Sequence, residues 1–149
     1  MEREEFLKAE SLVESNNLLY TNGHKYQSRN AMIYYTGIFL PYDVISDLII
    51  HRRDGWMLVE PYFAWDGCSS IAIDTRTNMR AGHAHDACAA LMRKGLLPLS
   101  CIEPSNALLR RLMIKDGALR TRANCYKLVL DRTSYWARPE NQRPFKIAP

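Results

Sequence analysis

The spacing of apolar and polar positions divides the chain into a first part with strand-like runs and a second part with helical ones. In residues 2–15, Phe6, Ala9 (or Glu10) and Val13 recur at helical intervals, which predicts a short amphipathic helix. Asn16, Asn17, Asn22 and Gly23 break it. Residues 31–40 are rich in Ile, Tyr and Phe and close at Pro41, which predicts a strand. Residues 44–50 fit either a helical turn or a strand. Arg53-Asp54-Gly55 signals a turn, and residues 56–65 follow as a second strand, interrupted at Pro61.

The period then changes. Thr77 or Asn78 is placed to cap a helix running to about Lys94, with Gly95 and Pro98 ending it. Pro104-Ser105 opens another, in which Leu108, Leu109, Leu112 and Met113 form one apolar stripe. Asp116-Gly117 interrupts the pattern, and a third helix carries Leu119, Ala123, Tyr126 and Leu130. From Arg138 onward, Pro139, Pro144 and Pro149 predict an extended tail over 138–149. The expected architecture is α+β: a small N-terminal helix and β portion followed by a three-helix cluster, with residues 1–149 forming one domain.

Composition agrees with a packed domain. The 149 residues are 47% apolar and 24% charged, with only 7 Gly and 7 Pro. These proportions exclude a disordered or fibrous chain, and a domain of ~150 residues buries roughly 70% of its unfolded surface. Charge adds an asymmetry. Residues 1–75 hold 6 Lys/Arg against 11 Asp/Glu, whereas residues 76–149 hold 14 against 5. A basic half of this kind suits a nucleic acid, an anionic membrane surface or an acidic partner. Arg120, Arg122 and Lys127 are the candidate docking residues. Tyr126 among them reads as part of the apolar stripe.

The four cysteines at 68, 88, 101 and 125 form no Cys-x-x-Cys pair, and reduced thiols are the expectation. Cys88 and Cys125 read as core positions. The start Met-Glu-Arg-Glu-Glu lacks the pattern of a secretory signal, and no apolar run approaches the ~20 residues of a membrane span. The expected location is therefore the cytoplasm of the cell that makes the protein.

Chemistry concentrates in Trp65-Asp66-Gly67-Cys68-Ser69, Asp74, and Gly82-His83-Ala84-His85-Asp86-Ala87-Cys88. On a helix, His85 shares its face with Ala81, Cys88, Ala89 and Met92, which directs the imidazole into the core or a cleft. A His and an Asp among small apolar neighbours need partners. In one reading His85 is a general base, and Asp66 and Asp86 orient it or ligate a divalent cation such as Ca²⁺, Mg²⁺, Mn²⁺ or Zn²⁺. Ser69, Asp74, His83 and Asp116 then support the site. In the other reading His85 and Asp86 are a hydrogen-bonded pin holding the helix to the turn at 66–69. Metal-dependent phosphohydrolases also use a His-Asp doublet, and His51 with Asp116 or Asp131 would fill the remaining positions. That fold is all-helical, however, and residues 31–65 read as strands.

The pattern Phe63-x-Trp65-Asp66-Gly67-x-Ser69, then His85-Asp86, a helix and Gly95-Leu96-Leu97-Pro98 resembles an uncharacterised family of tailed-phage and prophage proteins. The resemblance spans roughly residues 56–136, with Cys88-Ala89 standing where the family has an aromatic or leucine pair. It implies a viral or prophage origin and importance for Asp66, Ser69, His85 and Asp86; the family brings no established activity. Two functions follow as expectations. One is a small metal-assisted hydrolase centred on His85 and Asp86. The other is a non-catalytic virion or assembly protein that docks on other virion proteins or a polyanion through its basic half.

Overall fold

The computed structural model describes residues 1–22, 26–65, 75–133 and 137–138. Its elements run α1 (Arg3–Lys8), β1 (Tyr20–Thr21), β2 (Tyr26–Ser28), β3 (Met32–Tyr35), β4 (Val44–Ile45), β5 (Ile49–His51), β6 (Trp56–Val59), β7 (Ala64–Trp65), α2 (Met79–Arg93), a 3₁₀ turn (Leu99–Cys101), α3 (Ile102–Lys115) and α4 (Arg120–Arg132). This is the α+β arrangement the sequence predicts, a helix and sheets followed by three helices.

The strands form two antiparallel sheets, ordered β1-β2-β7 and β3-β6-β5-β4. Alternation along the second sheet explains how both its faces are covered. Met32 and Tyr34 of β3, Ile49 of β5, and Met57 and Val59 of β6 face the helices and join the main core. The intervening Ile50 and Leu58 face the other way and pack on Phe6 of α1. The main core is completed by Ala84, Cys88, Leu91 and Met92 of α2, Leu108, Leu109, Leu112 and Met113 of α3, and Ala123, Tyr126 and Leu130 of α4. Cys125, expected in the core, is exposed instead; the stripe carried by Ala123, Tyr126 and Leu130 turns it outward.

Several predicted elements are shorter than their apolar spacing suggests. The first helix stops at Lys8, where Arg52 donates to the carbonyls of Phe6 and Ala9 at 2.8 and 2.7 Å. Tertiary hydrogen bonds then hold the following segment to β3: Ser15 N–H donates to Ile33 O, and Ile33 N–H to Ser15 Oγ. Glu14 accepts from Tyr35 N–H and from Arg111 and Lys115 of α3. Burial opposes its charge, but these donors prevail and hold its pKa down to about 2. The strand expected over 31–40 ends at Tyr35 because Gly37 turns the chain with φ of 71°. Residues 44–50 resolve into strands, with Val44 and Ile45 paired to His51 and Ile50. The run 56–65 splits between the two sheets around Pro61-Tyr62, where Tyr62 takes φ of 73°.

α2 begins where expected. Asn78 precedes it, but its side chain does not bond the helix's own N–H groups; it accepts from Thr75 N–H and donates to the Tyr126 hydroxyl at 3.3 Å. α3 starts two residues before Pro104, led in by the 3₁₀ turn. Asp66, Cys68, Ser69 and Asp74, the turn at 66–69, and residues 139–149 of the expected tail lie outside the described residues.

Candidate functional site

His85 sits in the middle of α2 and is 5% exposed. Its Nε2 lies 2.8 Å from Oδ1 of Asn106 on α3. The Asn106 amide nitrogen in turn donates to Oδ1 of Asp131 on α4 at 2.8 Å. Asp131 also accepts from Lys127 at 2.8 Å, and Lys127 pairs with Glu103 at 3.0 Å. One polar chain therefore crosses all three C-terminal helices at the buried imidazole.

The chain fixes proton positions. Burial works against the charge of Asp131, but its bonds with Lys127 and Asn106 outweigh this and lower its pKa. An ionised Asp131 accepts only, so Asn106 presents its NH₂ to Asp131 and its carbonyl oxygen to His85. The imidazole must then donate from Nε2, and in its neutral form the lone pair is on Nδ1. On that side stands Asp86, 28% exposed at its side chain, with Oδ1 3.9 Å from Nδ1. This is an ion-pairing separation, longer than a hydrogen bond. The turn at 66–69 that His85 and Asp86 are expected to pin lies outside the described residues; within them, His85 is pinned to Asn106 of α3.

The other expected site residues separate from His85. His83 points to the sheets, 2.8 Å from the Tyr34 hydroxyl through Nδ1 and enclosed by the rings of Phe63 and Trp65. Burial holds its pKa down to about 3, so it is neutral. Asp116 gives both oxygens to Arg80, at 3.0 and 2.7 Å, and Arg80 also donates to Ser15 O. It therefore braces α2 against α3 and the N-terminal segment. His51 is buried against Thr36, 2.8 Å from its hydroxyl, and burial lowers its pKa. Of the docking candidates, Arg120 is exposed, Arg122 lies 5.6 Å above the Tyr126 ring, and Lys127 is paired to two carboxylates.

Of the relay residues, Asn106 is absent from the sequence-derived site, and Asp131 enters it only through the comparison with metal-dependent phosphohydrolases. Asn106 carries a signal that points to it: it stands three and seven positions before Leu109 and Met113, on the buried side of α3, where a polar residue requires a partner. Among the described residues, no group of three or more His, Cys, Asp or Glu side chains is placed to hold a metal ion. No described helix is long and apolar enough to cross a membrane. No protein-family model, curated protein or solved structure matches the chain.

Proposed function

We propose that the protein is a small phage-type hydrolase in which His85 is the general base. The observation that carries this reading is the Asp131–Asn106–His85 relay. A carboxylate holds an amide, the amide holds the imidazole in one tautomer, and the basic Nδ1 is directed to the side of the partly exposed Asp86. A base in a fixed orientation can take a proton from water as it attacks an ester, amide or phosphodiester, and Asp86 stabilises the imidazolium that forms. A divalent cation ligated by Asp86 and Asp66 belongs to the same reading and would lower the pKa of the attacking water.

The test is turnover of p-nitrophenyl acetate and bis(p-nitrophenyl) phosphate, with and without Mn²⁺ and with a chelator. The reading expects hydrolysis of at least one substrate, lost in His85→Ala and reduced in Asn106→Ala. Loss of turnover with chelator would support the cation. Turnover unchanged in His85→Ala, or none with either substrate under all these conditions, would contradict the proposal.

A further inference from the structure

A cleft of about 710 Å³ opens between the segment Asn16 to Tyr20 and the start of α2. That volume lies within the ~300–1,000 Å³ common for small-molecule sites. Its far wall is preformed. Asn30 donates to Asn17 O and accepts from Leu19 N–H, and Arg29 N–H donates to Leu19 O, so the backbone of the segment is held in place.

Among the described residues, the lining of the cleft carries a net positive charge. Arg80 and Asp116 cancel each other in their two-point pair. Arg76 is exposed and lines the cleft, with no carboxylate of the described residues within ion-pair distance. The first turn of α2 carries no acidic side chain, so the partial positive charge of the helix start adds to that of Arg76. The same space offers a flat apolar surface. Tyr20 is 38% exposed, and edge-on contacts with Tyr26 at 5.7 Å and Trp65 at 5.9 Å brace its ring. Asn16 and Asn17 line the cleft with side-chain amides that bond to none of the described residues.

The Trp65 ring packs edge-on against Tyr20, and His83 is one helical turn beyond Met79. Trp65 Nε1 and His83 Nε2 are both buried without a hydrogen-bond partner among the described residues. Buried ring nitrogens of this kind are rarely left unmet in a native protein.

We propose that this cleft binds a nucleoside phosphate, its phosphate on Arg76 and the start of α2 and its base against Tyr20. A cation and a helix start recognise the phosphate, an exposed aromatic ring stacks the base, and two side-chain amides meet the base edge. The proposal is independent of the role of His85.

The experiment is a thermal-melt and fluorescence titration with AMP, adenosine, inorganic phosphate and a short oligothymidylate. AMP is expected to raise the melting temperature with concentration, and adenosine and phosphate alone to bind at least about tenfold more weakly. Arg76→Ala should weaken AMP binding about tenfold or more without moving the melt of the free protein, because Arg76 is exposed and has no ion-pair partner among the described residues. Tyr20→Ala should weaken AMP more than it weakens phosphate. Tighter binding of the oligothymidylate would identify a single strand as the source of the nucleotide, and tighter binding of AMP a free nucleotide. No shift with either nucleotide, phosphate binding as tightly as AMP, or Arg76→Ala binding AMP normally would overturn the proposal.

Discussion

Asn106 stands between His85 and Asp131 with its carbonyl oxygen 2.8 Å from the imidazole Nε2 and its amide nitrogen 2.8 Å from the carboxylate. An amide has one accepting and one donating end, so the charge on Asp131 dictates which nitrogen of His85 carries the proton. Asn106→Ala should cost about 1–3 kcal/mol, because it strands a buried N–H and removes a donor from Asp131. Asn106→Asp should have a different signature. It places a second carboxylate beside Asp131 and takes the donated N–H away from it, so stability should fall while the acceptor for His85 is kept. Denaturant melts and proton NMR of the histidine ring check both outcomes.

Asp116 gives a contrasting case. It was a candidate supporter of the His85 site, yet it holds Arg80, which is 4% exposed. Asp116→Ala should destabilise the fold by about 3–5 kcal/mol, since it leaves a buried guanidinium without its counter-charge. Arg80→Met with Asp116→Leu should recover much of that loss. A melt of Asp116→Ala within about 1 kcal/mol of the parent, on the scale of an exposed ion pair, would show the pair to be dispensable.

The neutral His83 makes acid stability predictable in sign. Its pKa is about 3 in the fold against 6.5 for the free side chain, so the unfolded chain binds the extra proton. Stability contributed by His83 is complete above pH 6.5 and is lost as the pH falls toward 3, at a slope approaching ~1.4 kcal/mol per pH unit. Glu14, at about 2 against 4.5, adds a second loss only below pH 4.5. His83→Phe should therefore reduce the slope of the stability profile between pH 6.5 and 4.5, leaving the contribution of His51, whose pKa burial also lowers, and the fall below pH 4.5. Urea melts across this range give the slopes.

The thiols should differ sharply in reactivity. Burial pushes the Cys88 thiol up to about 12, whereas Cys125 lies exposed on α4. A maleimide applied to the native protein should label Cys125 within minutes and leave Cys88 untouched until the chain unfolds, as peptide mass spectrometry can read.

The helical stripes of the second half were legible because local spacing and core packing agree there: Leu108, Leu109, Leu112 and Met113 face the core on both counts. The first half was harder to read because its short strands are set by distant partners. Ser15 is drawn out of the predicted helix by Ile33, and the two halves of the run 56–65 pair in different sheets. At the site, the burial of His85 followed from its helical face, since its neighbours on that face are small and apolar. Its partners did not, because Asn106 and Asp131 lie 21 and 46 positions later and meet it only when three helices pack. Asp116 and Asp131 are equivalent as letters; packing alone gives one to Arg80 and the other to the relay.

The most direct test of the relay is the tautomer of His85, measured by long-range ¹H–¹⁵N correlation NMR of ¹⁵N-histidine-labelled protein, with His85→Gln to assign the signal. The relay requires the neutral ring to carry its proton on Nε2, with Nδ1 taking the second proton on acidification, and requires this preference to weaken in Asn106→Leu. A neutral His85 with its proton on Nδ1, or a tautomer unaffected by Asn106→Leu, would contradict it.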